Sequence, residues 1–270
     1  MAQIQYVLFD MDGLLIDTEL IYTKVTNTIL APYNKEMTWD IKAGCMGKPE
    51  LPATLYLLSF FPDIPITPAE FIEQRNKLQD SFWPTTALLP GAEKLLLHLQ
   101  RHNIPICLAT SSRRRGFALK TGHLGHMFGE QGVFAVTREN GEKGFNIVCG
   151  DDLTGEPPAP IKGKPSPDIF LTAARDKLGR DVGFGDVLSA PEGISDAQKV
   201  ARSKGLVFED SLPGVEAGKR AGMHVVWVPD SNLLALSKDA PLPDAPKADS
   251  MLASLEAFVP EQWGLPPYDG

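Results

Sequence analysis

The sequence predicts an α/β protein: a parallel sheet flanked by helices, with a small helical unit inserted after the first strand. Three observations carry that expectation. Short apolar runs alternate along the chain with helix-patterned segments, as in right-handed βαβ units. Most of those runs end in polar or acidic residues, and ligands in open parallel sheets bind outside the carboxyl ends of the strands. The stretch 16–85, between the first run and the second, far exceeds the roughly 2–6 residues of an ordinary βα connection.

The first strand is Tyr6 to Phe9, and it runs directly into Asp10-Met11-Asp12-Gly13. The inserted stretch has its own helical periodicity. Ile21, Val25 and Ile29 recur every fourth residue, Leu51, Leu55 and Leu58 form a second stripe, and Phe71 with Leu78 mark a third helix. The expected division is a core of residues 1–15 and 86–270 and a helical cap of residues 16–85, with the chain returning around Pro84-Thr85-Thr86. A helix follows from Pro90 to His102, with Leu95, Leu96 and Leu99 inward, and then a strand from Ile104 to Ala109. Gly129 to Gly144 reads as a loop insertion carrying the hairpin-type turn Asn140-Gly141. Strand Ile147 to Cys149 and helix Pro167 to Leu178 come next. Gly179 to Lys204 is polar, contains Pro191, and reads as a second loop insertion with no assigned function. Strand Leu206 to Phe208, helix Gly214 to Ala221 and strand Val225 to Val228 complete the alternation, before a proline-rich stretch from Pro241 to Pro246. The core is therefore expected to be Rossmann-like.

Bulk properties exclude several classes. With 270 residues, 43% hydrophobic and 22% charged, the composition is that of a globular protein. A net charge of −8 argues against a nucleic-acid partner, which calls for a basic face. Three cysteines without paired spacing argue against a disulfide framework and for a reducing compartment. The first apolar stretch is too short for a signal peptide, and no run reaches the roughly 20 apolar residues of a membrane span. A cytoplasmic monomer is the expectation.

In an extended chain, residues two apart face the same side, so Asp10 and Asp12 aim at one spot beyond the first strand. An Asp-x-Asp-Gly turn also occurs as a simple solvated turn, so its meaning depends on partners at other strand ends. Thr110-Ser111-Ser112 follows the second strand, where hydroxyls and free N–H groups make an anion site as well as a helix cap. Lys164 lies in Gly163-Lys164-Pro165-Ser166-Pro167, a loop stiffened by prolines, and can balance carboxylates and hold a phosphate. Glu209-Asp210 follows the Leu206 strand and offers the hard oxygen donors that Mg²⁺ prefers. Charge counting makes a cation necessary. Asp10, Asp12, Glu209 and Asp210 face a dianionic phosphate with only Lys164 to offset them. Two unit charges about 4 Å apart repel by roughly 4 kcal/mol at an effective dielectric of about 20.

Other candidates carry less. His123 and His126 have metal-like spacing but no third ligand, and read as surface or capping residues. Ser111 and Ser112 lack the G-x-S-x-G elbow of a serine hydrolase. Arg113-Arg114-Arg115 is too short a run for nucleic acid and reads as a solvated helix start.

With these residues in place, the sequence resembles the haloacid dehalogenase superfamily of phosphotransferases, in the group with a helical cap after the first strand. The motifs stand in the family's order: Phe9-Asp10-Met11-Asp12-Gly13, Ala109-Thr110-Ser111, Lys164-Pro165 and Glu209-Asp210. Further matching stretches include Met46-Gly47-Lys48, Gly214-Val215-Glu216-Ala217 and Trp263-Gly264-Leu265-Pro266. The segments 129–144, 153–162 and 179–205 look expanded and bear on substrate identity, because loops at strand ends shape access.

The resemblance implies Asp10 as nucleophile and Asp12 as general acid/base. Thr110 and the Ser111 N–H would hold phosphoryl oxygens, and Lys164 would orient both nucleophile and phosphate. Mg²⁺ would be held by Asp10, the Asp12 backbone carbonyl and Asp210, with Glu209 behind them or acting through water. Lys48 is the candidate cap contact to substrate. The implied reaction is hydrolysis of a small phosphorylated metabolite through an aspartyl-phosphate. Pseudouridine 5′-phosphate leads among substrates, with sugar phosphates open. The rival readings are a sugar-phosphate mutase using the same core and a catalytically silent ligand-binding module.

Overall fold

A computed structural model describes residues 3–45, 48, 50–155, 158–232 and 247–269. Met46 and Gly47 of the matched stretch, and the proline-rich residues 241–246, lie outside the described residues.

Strand β1 (Tyr6–Phe9) is followed by helices α1 (Thr18–Leu30), α2 (Trp39–Cys45), α3 (Glu50–Ser59) and α4 (Pro68–Phe82). Helix α5 (Ala92–Arg101) leads into β2 (Ile106–Ala109), and α6 (Arg114–Thr121) and α7 (Gly125–Phe128) follow. Then come the hairpin β3 (Ala135–Thr137) and β4 (Lys143–Phe145), strand β5 (Ile147–Val148), and a second antiparallel pair, β6 (Leu153–Thr154) and β7 (Ala159–Pro160). Helix α8 (Asp168–Thr172) continues into one π-helical turn, Ala173–Lys177. Helix α9 (Asp196–Arg202), β8 (Gly205–Glu209), α10 (Leu212–Arg220), β9 (His224–Trp227) and β10 (Ser250–Met251) close the series.

Among the described residues, the main sheet has six parallel strands in the order β10-β9-β8-β1-β2-β5. β1 is central, paired to β2 on one side and β8 on the other. Each strand feeds both faces with period two. Val7, Phe9, Ile106, Leu108, Leu206 and Phe208 join one apolar cluster, together with Leu95, Leu96 and Leu99 of α5. Tyr6, Leu8, Cys107, Ala109 and Val207 join the other, with Ile169 and Phe170 of α8 and Val215 of α10. Burial on both faces is why these strands read as continuous apolar runs.

The helical insertion builds a third cluster from Ile21, Val25, Ile29, Ile41, Leu57, Phe71 and Trp83. One stripe expected from the sequence is corrected here. Helix α3 forms, but Leu51 and Leu55 are 52% and 51% exposed, and its buried positions are Thr54 and Leu57. Leucines stand on several sides of α3, so periodicity alone does not choose a face; packing on α2 and α4 does. The two supposed loops also hold structure. Residues 129–144 form the β3–β4 hairpin around Asn140-Gly141. Residues 179–204 contain α9, started by a Ser195–Gln198 capping box. The fully buried Arg202 guanidinium then donates to the carbonyls of Val182, Phe184 and Gly185 at 2.7, 2.8 and 3.0 Å, fastening the polar stretch to the core.

Candidate active site

Asp10 is the residue after β1, and its N–H still donates to the Phe208 carbonyl of β8 at 3.1 Å. The sheet therefore fixes its backbone, and the residue is 6% exposed. Gly13 closes the acid turn with φ +76°, and a Cβ there would stand 2.5 Å from Asp210 Oδ2. Only glycine both adopts this conformation without strain and lets the β8 loop approach the turn.

The β8 end brings Glu209 and Asp210 to Asp10. Glu209 is fully buried; its Oε2 accepts from the N–H of Asp210 and Ser211 and from Ser211 Oγ at 3.0, 3.1 and 3.0 Å. Its Oε1 meets Lys164 Nζ at 2.5 Å, and the same ammonium donates to Asp10 Oδ1. Gly214 leaves room for the Glu209 carboxylate, which a Cβ there would overlap.

Asp10, Glu209 and Asp210 each place a carboxylate oxygen within 4.8 Å of the others. Among the described residues, no hydrogen bond or ion pair reaches the Asp210 carboxylate itself. Burial, with repulsion from Glu209 and Asp12, pushes the Asp10 carboxyl up to about 7 against the pull of Lys164. Asp210 is held well above the usual carboxylate range by burial and by repulsion from Glu209, Asp10 and Glu19. Burial by itself would lower Lys164, but attraction to Asp10 and Glu209 prevails and it is raised, so it stays charged. Two buried carboxylates and a half-buried third against one ammonium, all hard oxygen donors, make a cluster that a divalent cation fits.

Asp12 stands outside that cluster, held by partners of its own. Its Oδ2 accepts from Ser112 Oγ at 2.7 Å and Thr110 Oγ1 at 3.3 Å, and its Oδ1 meets Lys120 Nζ at 2.5 Å. Lys120 also donates to Ser112 Oγ at 3.0 Å, and its Nζ lies 4.6 Å from the Trp83 ring centroid. Burial works to lower Lys120, but Asp12 and Tyr22 prevail and raise it. Sequence reasoning placed Ser112 in an anion site or helix cap rather than against Asp12, and it missed Lys120. The available signal was weak: Lys120 stands three residues after Phe117 on α6, on the face turned inward.

A cavity of about 550 Å³ opens onto these groups. Asp10, Asp12, Ser111, Lys164 and Asp210 form its floor, and Glu19, Tyr22 and Lys48 of the insertion face them. Thr110 is fully buried and touches Asp12 rather than the cavity, whereas Ser111 lines it. Lys48 donates to the Gly44 carbonyl and sits over the Tyr56 ring at 4.9 Å. Glu19, Tyr22 and Lys48 also border a second cavity of about 470 Å³ inside the insertion, with Arg75, Asn76 and Gln79 on its far side. No described residue of 129–144, 153–162 or 179–205 lines either space. His123 and His126 are exposed; His123 Nε2 lies 2.6 Å from the Thr86 carbonyl, and His126 faces Glu93.

Comparison with known proteins fits this geometry. Residues 4–222 match the family of haloacid dehalogenase-like hydrolases. The chain belongs to that family. It is a hydrolase, and named relatives over nearly its whole length are phosphatases. It is 38% identical over 269 residues to (DL)-glycerol-3-phosphatase 2 of Arabidopsis thaliana, covering 99% of this chain and 94% of the relative. It is 37% identical to a probable pseudouridine-5′-phosphatase of Drosophila melanogaster, covering 99% and 97%. Among solved structures, a HAD family hydrolase from Deinococcus radiodurans with bound phosphate and sodium shares the fold, with TM-score 0.66, 21% identity, and coverage of 99% and 100%. Among the described residues, no helix is long and apolar enough to cross a membrane.

Proposed function

We propose that this hydrolase cleaves the phosphate monoester of a small metabolite through an aspartyl-phosphate on Asp10, with Mg²⁺ as cofactor. The observation that carries the reading is the Asp10–Lys164–Glu209–Asp210 cluster sharing one cavity floor with Asp12. Asp10 attacks the phosphorus in line, forming an O–P bond as the bond to the leaving oxygen breaks. Asp12 gives its proton to the departing alcohol, then takes one from the water that splits the Asp10–phosphorus bond. Lys164 and the Ser111 N–H hold the phosphoryl oxygens, and Thr110, with Ser112 and Lys120, aims the Asp12 carboxyl. Asp10, the Asp12 backbone carbonyl and Asp210 would hold Mg²⁺, which supplies charge neutralisation at the phosphate when bound. Glu209, whose oxygens are already engaged, stands behind them and positions Lys164.

Residues 16–85 act as a cap over a core of residues 1–15 and 86–270, and Lys48 contacts the substrate from the cap. Two adjoining cavities of about 550 and 470 Å³ leave space for a leaving group beyond the phosphate. Relatives of nearly equal similarity are named for glycerol phosphate and for pseudouridine phosphate, so both belong on the substrate list. Free Cys45, Cys107 and Cys149 fit a reducing, cytoplasmic setting.

The test is phosphate release from a panel containing glycerol 3-phosphate, pseudouridine 5′-phosphate and hexose phosphates. Turnover that stops with EDTA and returns with Mg²⁺ supports the assignment. Isomer formation without free phosphate would instead make the protein a mutase.

A further inference from the structure

Helix α5 carries His98, and His102, four residues on, caps its C-terminus. It leads into the start of β2, so this end of the helix lies at the sheet edge opposite the acid pair, which stands beyond the strand ends. Residues 265–269 cross the same region. Leu265 packs into the core, Tyr268 lies 4.6 Å from the His98 ring, and Asp269 reaches Arg101 and His102.

His98 is fully buried, and its Nε2 lies 3.0 Å from the Pro266 carbonyl. A carbonyl oxygen only accepts, so Nε2 carries the hydrogen and Nδ1 of the neutral ring keeps a lone pair. That Nδ1 is buried with no hydrogen-bond partner among the described residues. His102 Nε2 is also buried without a well-formed hydrogen bond, and it faces Asp269 Oδ1 at 3.3 Å. Arg101 holds the other Asp269 oxygen at 2.9 Å. One ligand atom from each of His98, His102 and Asp269 lies within 4.8 Å of the other two.

We propose that His98, His102 and Asp269 form a binding site for a borderline divalent transition ion such as Zn²⁺, which clamps residues 265–269 onto α5. Donors about 2.0–2.1 Å from a tetrahedral ion stand about 3.4 Å apart, close to the separation of His102 Nε2 and Asp269 Oδ1. The surroundings are those of metal-bound imidazole, since His98 donates its second ring N–H to a backbone carbonyl. Two imidazoles and one carboxylate select a transition ion over Mg²⁺, unlike the all-oxygen cluster at Asp10. Solvent takes the remaining position, entering beside the exposed Asp269 and half-buried His102. The ion gives His98 Nδ1 its partner and draws His102 Nε2 and Asp269 Oδ1 onto one centre.

The experiment is calorimetric titration of chelator-stripped full-length protein with ZnCl₂, in the wild type, His102→Gln and Asp269→Asn, each checked for folding by circular dichroism. Expected is the loss of one bound Zn²⁺ in His102→Gln and a weakening in Asp269→Asn of at least the roughly 10–100-fold that even outer-shell changes cause. Zn²⁺ should raise Tm in the wild type and do so less in both variants. Mg²⁺-supported phosphate release should be unchanged in His102→Gln. A crystal soaked in Zn²⁺ should show an anomalous peak between the three side chains. Unchanged stoichiometry and affinity in both variants, or a peak only at Asp10, Glu209 and Asp210, would overturn the site.

Discussion

Asp10 and Asp12 are two residues apart, yet they live in differently built surroundings. Asp10 is boxed in by strand ends and the loops that follow them: Lys164 after β7, Glu209 at the end of β8, and Asp210 beyond it. Asp12 is held by Ser112 after β2 and by Lys120 of α6, whose ammonium lies against Trp83 of the helical insertion. The first environment draws its hydrogen bonds and ion pairs from strand ends and the loops after them. The second includes a direct contact between core and insertion, Lys120 against Trp83. In the mechanism proposed above, that division separates the carboxylate that attacks from the one that changes its proton.

The largest expected effect breaks the Asp10 side. Asp10→Asn should lower phosphate release by at least about 10⁴-fold while leaving the circular dichroism spectrum unchanged; near-normal turnover would remove Asp10 from the chemistry. Asp12→Asn should cost about 10²–10⁴-fold. The loss should be smaller for an aryl phosphate in the first half-reaction, read as a burst of phenol, because a good leaving group needs little protonation. Lys164→Met leaves two buried carboxylates without their cation and should destabilise Mg²⁺-free protein by about 3–5 kcal/mol in urea unfolding at pH 7.5. Lys120→Met sharpens the comparison from the other side. It should lower kcat by about tenfold with little change in stability relative to Lys164→Met, and an unaltered kcat would mean that Asp12 does not depend on the insertion.

The smallest effect is on pH dependence. Asp10 has a folded-state pKa raised to about 7, above its unfolded value, so its contribution to stability is fully present below the unfolded value and is lost as pH rises through about 7. Asp210 is shifted in the same direction. In chelated protein, Asp10→Asn should therefore gain Tm relative to wild type between pH 5 and pH 8. A gap that stays constant across that window would show that Asp10 ionisation does not strain the fold.

Strands β1, β2, β5, β8 and β9 were legible in the sequence because strands buried on both faces must be apolar throughout, and the acids that end β1 and β8 then fall at one sheet edge. Asp10, Lys164, Glu209 and Asp210 are brought together where that reasoning puts them. Lys120 was not legible. It reaches Asp12 across 108 residues, from a helix whose register says only that one face is inward. The exposed Leu51 and Leu55 have the same origin, since a helix with leucines on several sides has no face until neighbours choose one.

By itself, then, the chain determined its layers and the carboxyl-end location of its acids. Period-two burial and the handedness of parallel crossovers are properties of local backbone geometry and apolar content. Only the tertiary structure decided which lysine serves which carboxylate, which leucines of α3 meet water, and that 129–144 lies away from the cavities. Those outcomes depend on distances between segments far apart in the chain, and such distances exist only once the layers have packed.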